Sequence, residues 1–170
     1  MHFNNKLRAV FLAAVLTLVS GVSRAAPVNY SFGGAVDFGA LSGEAYAGQF
    51  TFDDAALTGL GDELLPVSRL SFNFLGNAFN QTTSAAPPVV TFRDGNFLGL
   101  SFNVNTFTPG FALIPGFLDV TRSYFSYDNG TGNAGFGSLT YTVSTVPEPE
   151  ILILMLTGLT LVGYAVHRRR

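Results

Sequence analysis

The groups in this sequence most able to do chemistry are carboxylates: the pairs Asp53-Asp54 and Asp62-Glu63, and the lone Asp128 before a Gly/Asn-rich turn. Adjacent residues on an extended strand point to opposite faces, so neither pair alone can serve one substrate. One member of each pair, meeting across the intervening segment at about 5 to 10 Å, would have the spacing that glycoside hydrolysis needs. Calcium asks for less, because oxygen ligands on a loop suffice, and Asp53, Asp54, Asp62 and Glu63, or Asp128 with Asn129, supply them. Calcium is the one cofactor these residues invite, and solvated turn residues are the competing account of the same acids.

What is missing narrows the chemistry further. The only histidines are His2 and His167, the only lysine is Lys6, and cysteine is absent. Between residues 26 and 146 there is thus no Ser-His or Cys-His nucleophile and no histidine to hold zinc or iron. The expectation is a protein that is not an enzyme. Tyr30, Tyr46, Tyr124, Tyr127 and Tyr141 carry amphipathic rings of the kind that stack on sugars. Tyr124 and Tyr127, beside the Asp128 turn, are the pair to watch, and roofing the end of the core is their alternative role.

Charge excludes another class. Residues 26–146 hold nine acids against Arg69, Arg93 and Arg122, a net charge of minus six, although the whole chain stands at −2. An acidic, lysine-free surface repels phosphate backbones, so nucleic acid is not an expected partner.

The elements that must position these groups read as strands. Tyr46 to Phe52 alternates aromatic and polar residues, and so does Leu70 to Phe74, which should turn at Gly76-Asn77 and return through Phe79. Val89 to Phe92 and Phe97 to Asn105 flank Arg93-Asp94-Gly95-Asn96, where Asp-Gly supplies the positive backbone angles of a tight hairpin. Ala55 to Pro66 and Gln81 to Pro88 read as loops, and Pro109 to Gly116 as an apolar connection. Phe117 to Phe125 and Gly137 to Thr145 complete the strands around the 128–133 turn. With no disulfide, the domain must rely on burial, for which its fifteen phenylalanines between Phe32 and Phe136 are ample. Eight or nine short strands at this spacing predict an all-β fold, an antiparallel, jelly-roll-like β-sandwich over residues 26–145.

The two ends read as addresses. Lys6 and Arg8 precede an apolar stretch from Ala9 to Val22, and Ser23-Arg24-Ala25 offers small residues where a signal peptidase reads, so residues 1–25 are expected to be a signal peptide cut between Ala25 and Ala26. That peptide would bring the general export machinery and signal peptidase as partners. At the other end, Val146 to Pro149 is held extended by two prolines. Ile151 to Val166 then gives sixteen uncharged residues, about 24 Å of helix against a hydrocarbon core of about 30 Å. Arg168, Arg169 and Arg170 would cost about 2.5 to 3.5 kcal/mol each to insert, so they stop transfer and hold that end in the cytoplasm.

Val-Pro-Glu-Pro, a short apolar span and an arginine cluster, in that order over residues 146–170, resemble the PEP-CTERM sorting signal of Gram-negative bacteria. The resemblance implies that Pro147, Glu148 and Pro149 are the tripeptide recognised by a membrane-embedded exosortase, and that the chain is held briefly by the inner membrane. It also implies passage to the cell surface or extracellular matrix, often in exopolysaccharide-producing, biofilm-forming organisms. Glu150 departs from the pattern, since such tails more often place a small or hydroxylated residue there. The strand end Gly-Gln-Phe-Thr-Phe-Asp-Asp and the hairpin Thr-Phe-Arg-Asp-Gly-Asn-Phe-Leu-Gly-Leu are similar to ectodomains that accompany this tail, most of undefined activity. The expected function is therefore an exported surface or matrix protein, with a carbohydrate- or calcium-binding module as the alternative.

Overall fold

A computed structural model describes residues 27–144 together with Thr157 and Gly158. Ala25, Ala26, the Pro147-Glu148-Pro149 tripeptide, the rest of the apolar span and Arg168 to Arg170 lie outside the described residues. Among the described residues no helix is long and apolar enough to cross a membrane.

Residues 27–144 form ten strands: β1 (Val28–Phe38), β2 (Ala45–Phe52), β3 (Asp62–Phe74), β4 (Asn77–Asn80), β5 (Val89–Arg93), β6 (Asn96–Val104), β7 (Gly110–Ile114), β8 (Tyr124–Asp128), β9 (Ala134–Ser138) and β10 (Thr140–Ser144). Every pairing is antiparallel, and the order is β10-β1-β2-β3-β5-β6-β7-β8-β9 with β4 beside β3. β9 pairs back onto the end of β1 through Val36 and Phe38, which closes the circuit. The all-β, antiparallel expectation holds. Its jelly-roll-like connectivity does not, because neighbours on the path follow chain order. Two-residue turns at Leu75-Gly76 and Asp94-Gly95, all with positive φ, return β4 beside β3 and β6 beside β5.

The long strands change partners along their length. β3 pairs β5 from Asp62 to Pro66 and β2 from Val67 onward. Pro66 sits at the changeover, where a residue without an N–H costs least, and the Val67 N–H bonds the Pro88 carbonyl instead. Reading Ala55 to Pro66 as one loop therefore stopped too late, since Asp62 and Glu63 already belong to β3.

Four other assignments are corrected. β1 has no counterpart among the strands read from the sequence, because its Gly33-Gly34 interrupts the pattern. Gly110 to Ile114 is a strand with Phe111 and Leu113 buried, hidden in the sequence by the prolines on either side. Phe117 to Ser123 is not a strand: Phe117 and Leu118 are exposed, and Asp119 caps a 3-10 turn at Val120–Arg122 by accepting from the Thr121 N–H. Gly137 to Thr145 likewise breaks at Leu139 into β9 and β10.

The interior is aromatic. Rings from β2 and β3 meet rings from β6, β7 and β8, with Tyr46–Phe125 centroids at 4.3 Å, Phe74–Phe125 at 4.9 Å and Phe72–Phe111 at 5.2 Å. Fully buried rings contribute roughly 1.5–3 kcal/mol each, which is how a domain without disulfides holds together. Tyrosine hydroxyls stitch the closure. Tyr46 donates to the Ser138 carbonyl at 2.7 Å with the Ala35 carbonyl at 3.2 Å, Tyr127 accepts from the Leu41 N–H at 2.9 Å, and Tyr141 accepts from the Leu100 N–H at 3.2 Å.

Candidate functional site

Four of the carboxylates singled out from the sequence, Asp53, Asp62, Glu63 and Asp128, are given local work. Asp62 forms a two-pronged pair with Arg93, its Oδ1 2.5 Å from Nε, and this holds its carboxyl below the usual carboxylate range. Glu63 accepts from the Thr58 N–H at 2.7 Å, the Thr58 hydroxyl at 2.9 Å and the Gly59 N–H at 2.8 Å. Those bonds, the Thr58 amide foremost, hold its carboxyl low as well. Asp53 accepts from the Ala55 N–H and Asp128 from the Gly130 N–H, each closing its own turn. Among the described residues no group of three His, Cys, Asp or Glu is placed to hold a metal ion. Asp53, Asp54, Asp62, Glu63 and Asp128 are thus not gathered into a calcium cage.

The tyrosines divide. Tyr46 and Tyr127 are buried, and Tyr30 and Tyr141 are half-buried against the core; Tyr30 stacks on Phe97 at 4.6 Å. Burial raises the hydroxyl of Tyr46 well above its ordinary range and pushes that of Tyr141 up to about 12. Of the pair beside the Asp128 turn, Tyr127 thus roofs the core, whereas Tyr124 is 41 % exposed.

Tyr124 stands at one end of an open trough of about 640 Å³ on the outer face of β6, β7, β8 and β9. The register sets Phe38, Phe136, Ser126, Ala112 and Asn103 in one cross-strand row. Phe38 and Phe136, 63 % and 51 % exposed, stack with centroids 5.6 Å apart and planes 24° apart, forming one wall. Ser126 and Ala112 are too small to fill the space beside them. Asn103, Asn105 and Asp128 line the trough as well, and no cation does.

Why Phe136 faces outward is visible in its neighbours. Gly135 and Gly137 take the inward positions, where a Cβ would collide with the Tyr127 ring and the Tyr46 hydroxyl respectively. With the interior already filled, the large side chain on β9 must go to the surface. The sequence signal was therefore Gly-Phe-Gly on a strand: apolar residues alternating with glycine, and so inverted relative to a core strand. Phe38 carried no comparable signal, and its pairing with Phe136 across 98 residues comes only from the closure.

An apolar wall with amides and a carboxylate opposite suits a neutral polyhydroxyl ring. Its apolar face can lie on the phenylalanines while its hydroxyls reach Asn103, Asn105 or Asp128. No protein-family model, no curated protein and no solved structure matches this chain.

Proposed function

We propose that this chain is an exported surface or matrix protein whose all-β domain is delivered by a PEP-CTERM-type tail and freed by an exosortase. The order of the tail carries the reading: Pro147-Glu148-Pro149, then the uncharged Ile151 to Val166, then Arg168 to Arg170. The span is short for a bilayer and so heavily stopped by guanidinium groups that it suits a temporary hold. The signal peptide ending at Ala25, before Ala26, agrees in orientation, putting the domain on the far side of the inner membrane. The domain itself is read as a flattened sandwich, supported by aromatic rings of β2 and β3 facing those of β6, β7 and β8.

The test is fractionation of cells making the natural chain or a variant with Pro147, Glu148 and Pro149 all changed to alanine. The natural chain is expected at the surface or in the medium, and the variant in the inner membrane. Equal release of both would overturn the reading.

The second reading, a glycan-binding module, is favoured by the exposed Phe38–Phe136 stack. Full-length protein should be retained by a neutral polysaccharide column, and the paired changes Phe38→Ala and Phe136→Ala should abolish retention. Retention that survives both changes removes this trough from consideration.

A further inference from the structure

The opposite outer face has different chemistry. Across β1, β2 and β3 the register aligns Asn29, Thr51 and Arg69 in one row and Ser31, Gln49 and Ser71 in the next. All are polar, and only Arg69 is charged. The face is not flat: these residues line a recess of about 360 Å³, reaching inward to Tyr30 and Phe50. Within it the Thr51 hydroxyl donates to Asn29 Oδ1 at 2.6 Å, fixing one wall.

Arg69 is exposed, and among the described residues its guanidinium has no carboxylate or hydrogen-bond partner. Of the other two arginines of the domain, one is paired and one has an acid nearby. Arg93 is held by Asp62 and the Phe117 carbonyl, and Arg122 lies close enough to Asp119 to help lower that carboxyl. In a domain with six net negative charges, one unneutralised planar fork amid hydroxyls and amides is a local site of complementary charge for a single carboxylate.

We propose that this recess binds an acidic glycan through one uronate residue, the carboxylate taken by Arg69 and the sugar hydroxyls by Gln49, Ser31 and Ser71. A densely charged polyanion is disfavoured, because the rest of the domain repels it. A chain with a uronate at alternate sugars fits one fork. The site is separate from the Phe38–Phe136 trough and stands or falls without it.

The experiment is titration calorimetry of detergent-solubilised full-length protein with a hyaluronan octasaccharide, whose uronates alternate with neutral sugars. Binding is expected to weaken at least tenfold in Arg69→Gln, to be partly kept in Arg69→Lys, and to be unchanged in Arg122→Gln and in the Phe38→Ala, Phe136→Ala double variant. Arg122→Gln shares the basic ends of the chain, so it controls for their nonspecific attraction. The Arg69 side chain is exposed, and circular dichroism should show every variant folded. No binding, equal binding by Arg69→Gln, or equal binding of a neutral chito-oligosaccharide by the Phe38→Ala, Phe136→Ala double variant would overturn the proposal.

Discussion

The hydroxyl of Tyr46 joins β2 to the two strands that close the circuit, since its acceptors are carbonyls of β1 and β9. Tyr46→Phe keeps the ring and strands the Ser138 carbonyl, so it should cost about 1–2 kcal/mol in urea unfolding. The raised hydroxyls of Tyr46 and Tyr141 also fix a sign. A folded-state value above the unfolded one means stability is complete below pH about 10 and declines as pH rises beyond it. An alkaline melting series should show that decline, and Tyr46→Phe should blunt it. Glu63 works in the other direction: its lowered carboxyl stabilises above the unfolded value of about 4.3, and the contribution fades as pH falls through the folded one. Limited proteolysis of the 53–61 loop should therefore quicken at pH 3, and Glu63→Gln should quicken it already at pH 7. Sequence alone had made Glu63 a metal or catalytic candidate. Its service to the backbone of Thr58 and Gly59 was illegible because it depends on how that loop folds back on the start of β3.

At the scale of elements, what could be read depended on whether the signal was local. The Asp94-Gly95 hairpin was readable because two residues with φ of 48° and 76° define it within the turn. Ala at Gly95 would be forced into the left-handed region at about 1–2 kcal/mol, measurable as a lowered midpoint of denaturation. The alternation in β2, at the end of β3 and in β6 was equally local. By contrast, β7 lies between Pro109 and Pro115, β1 contains Gly33-Gly34, and the shift of β3 from one neighbour to another at Pro66 is set by strands far along the chain. Glycine there serves close approach: a Cβ on Gly34 would run into the Ser138 carbonyl, so β1 can reach the closing strand only because that side chain is missing. The trough inherits this dependence, because its Phe38–Phe136 wall exists only where β1 meets β9.

For the molecule as a whole, one aromatic interior supports two outer faces of unlike character, an apolar trough and a polar recess around Arg69. Phe72 has no exposed surface and contacts rings on both sides of that interior. Phe72→Ala should cost about 3–5 kcal/mol and disturb both faces together, seen as a large loss of melting temperature. The basic residues at the two ends support the proposed passage through a membrane. That itinerary is the central claim, and intact-mass spectrometry of the protein recovered outside the cell tests it most directly. The account predicts an N-terminus at Ala26 and a new C-terminus between Pro147 and Glu150. Recovery only of chains that still carry Arg168 to Arg170 would contradict it.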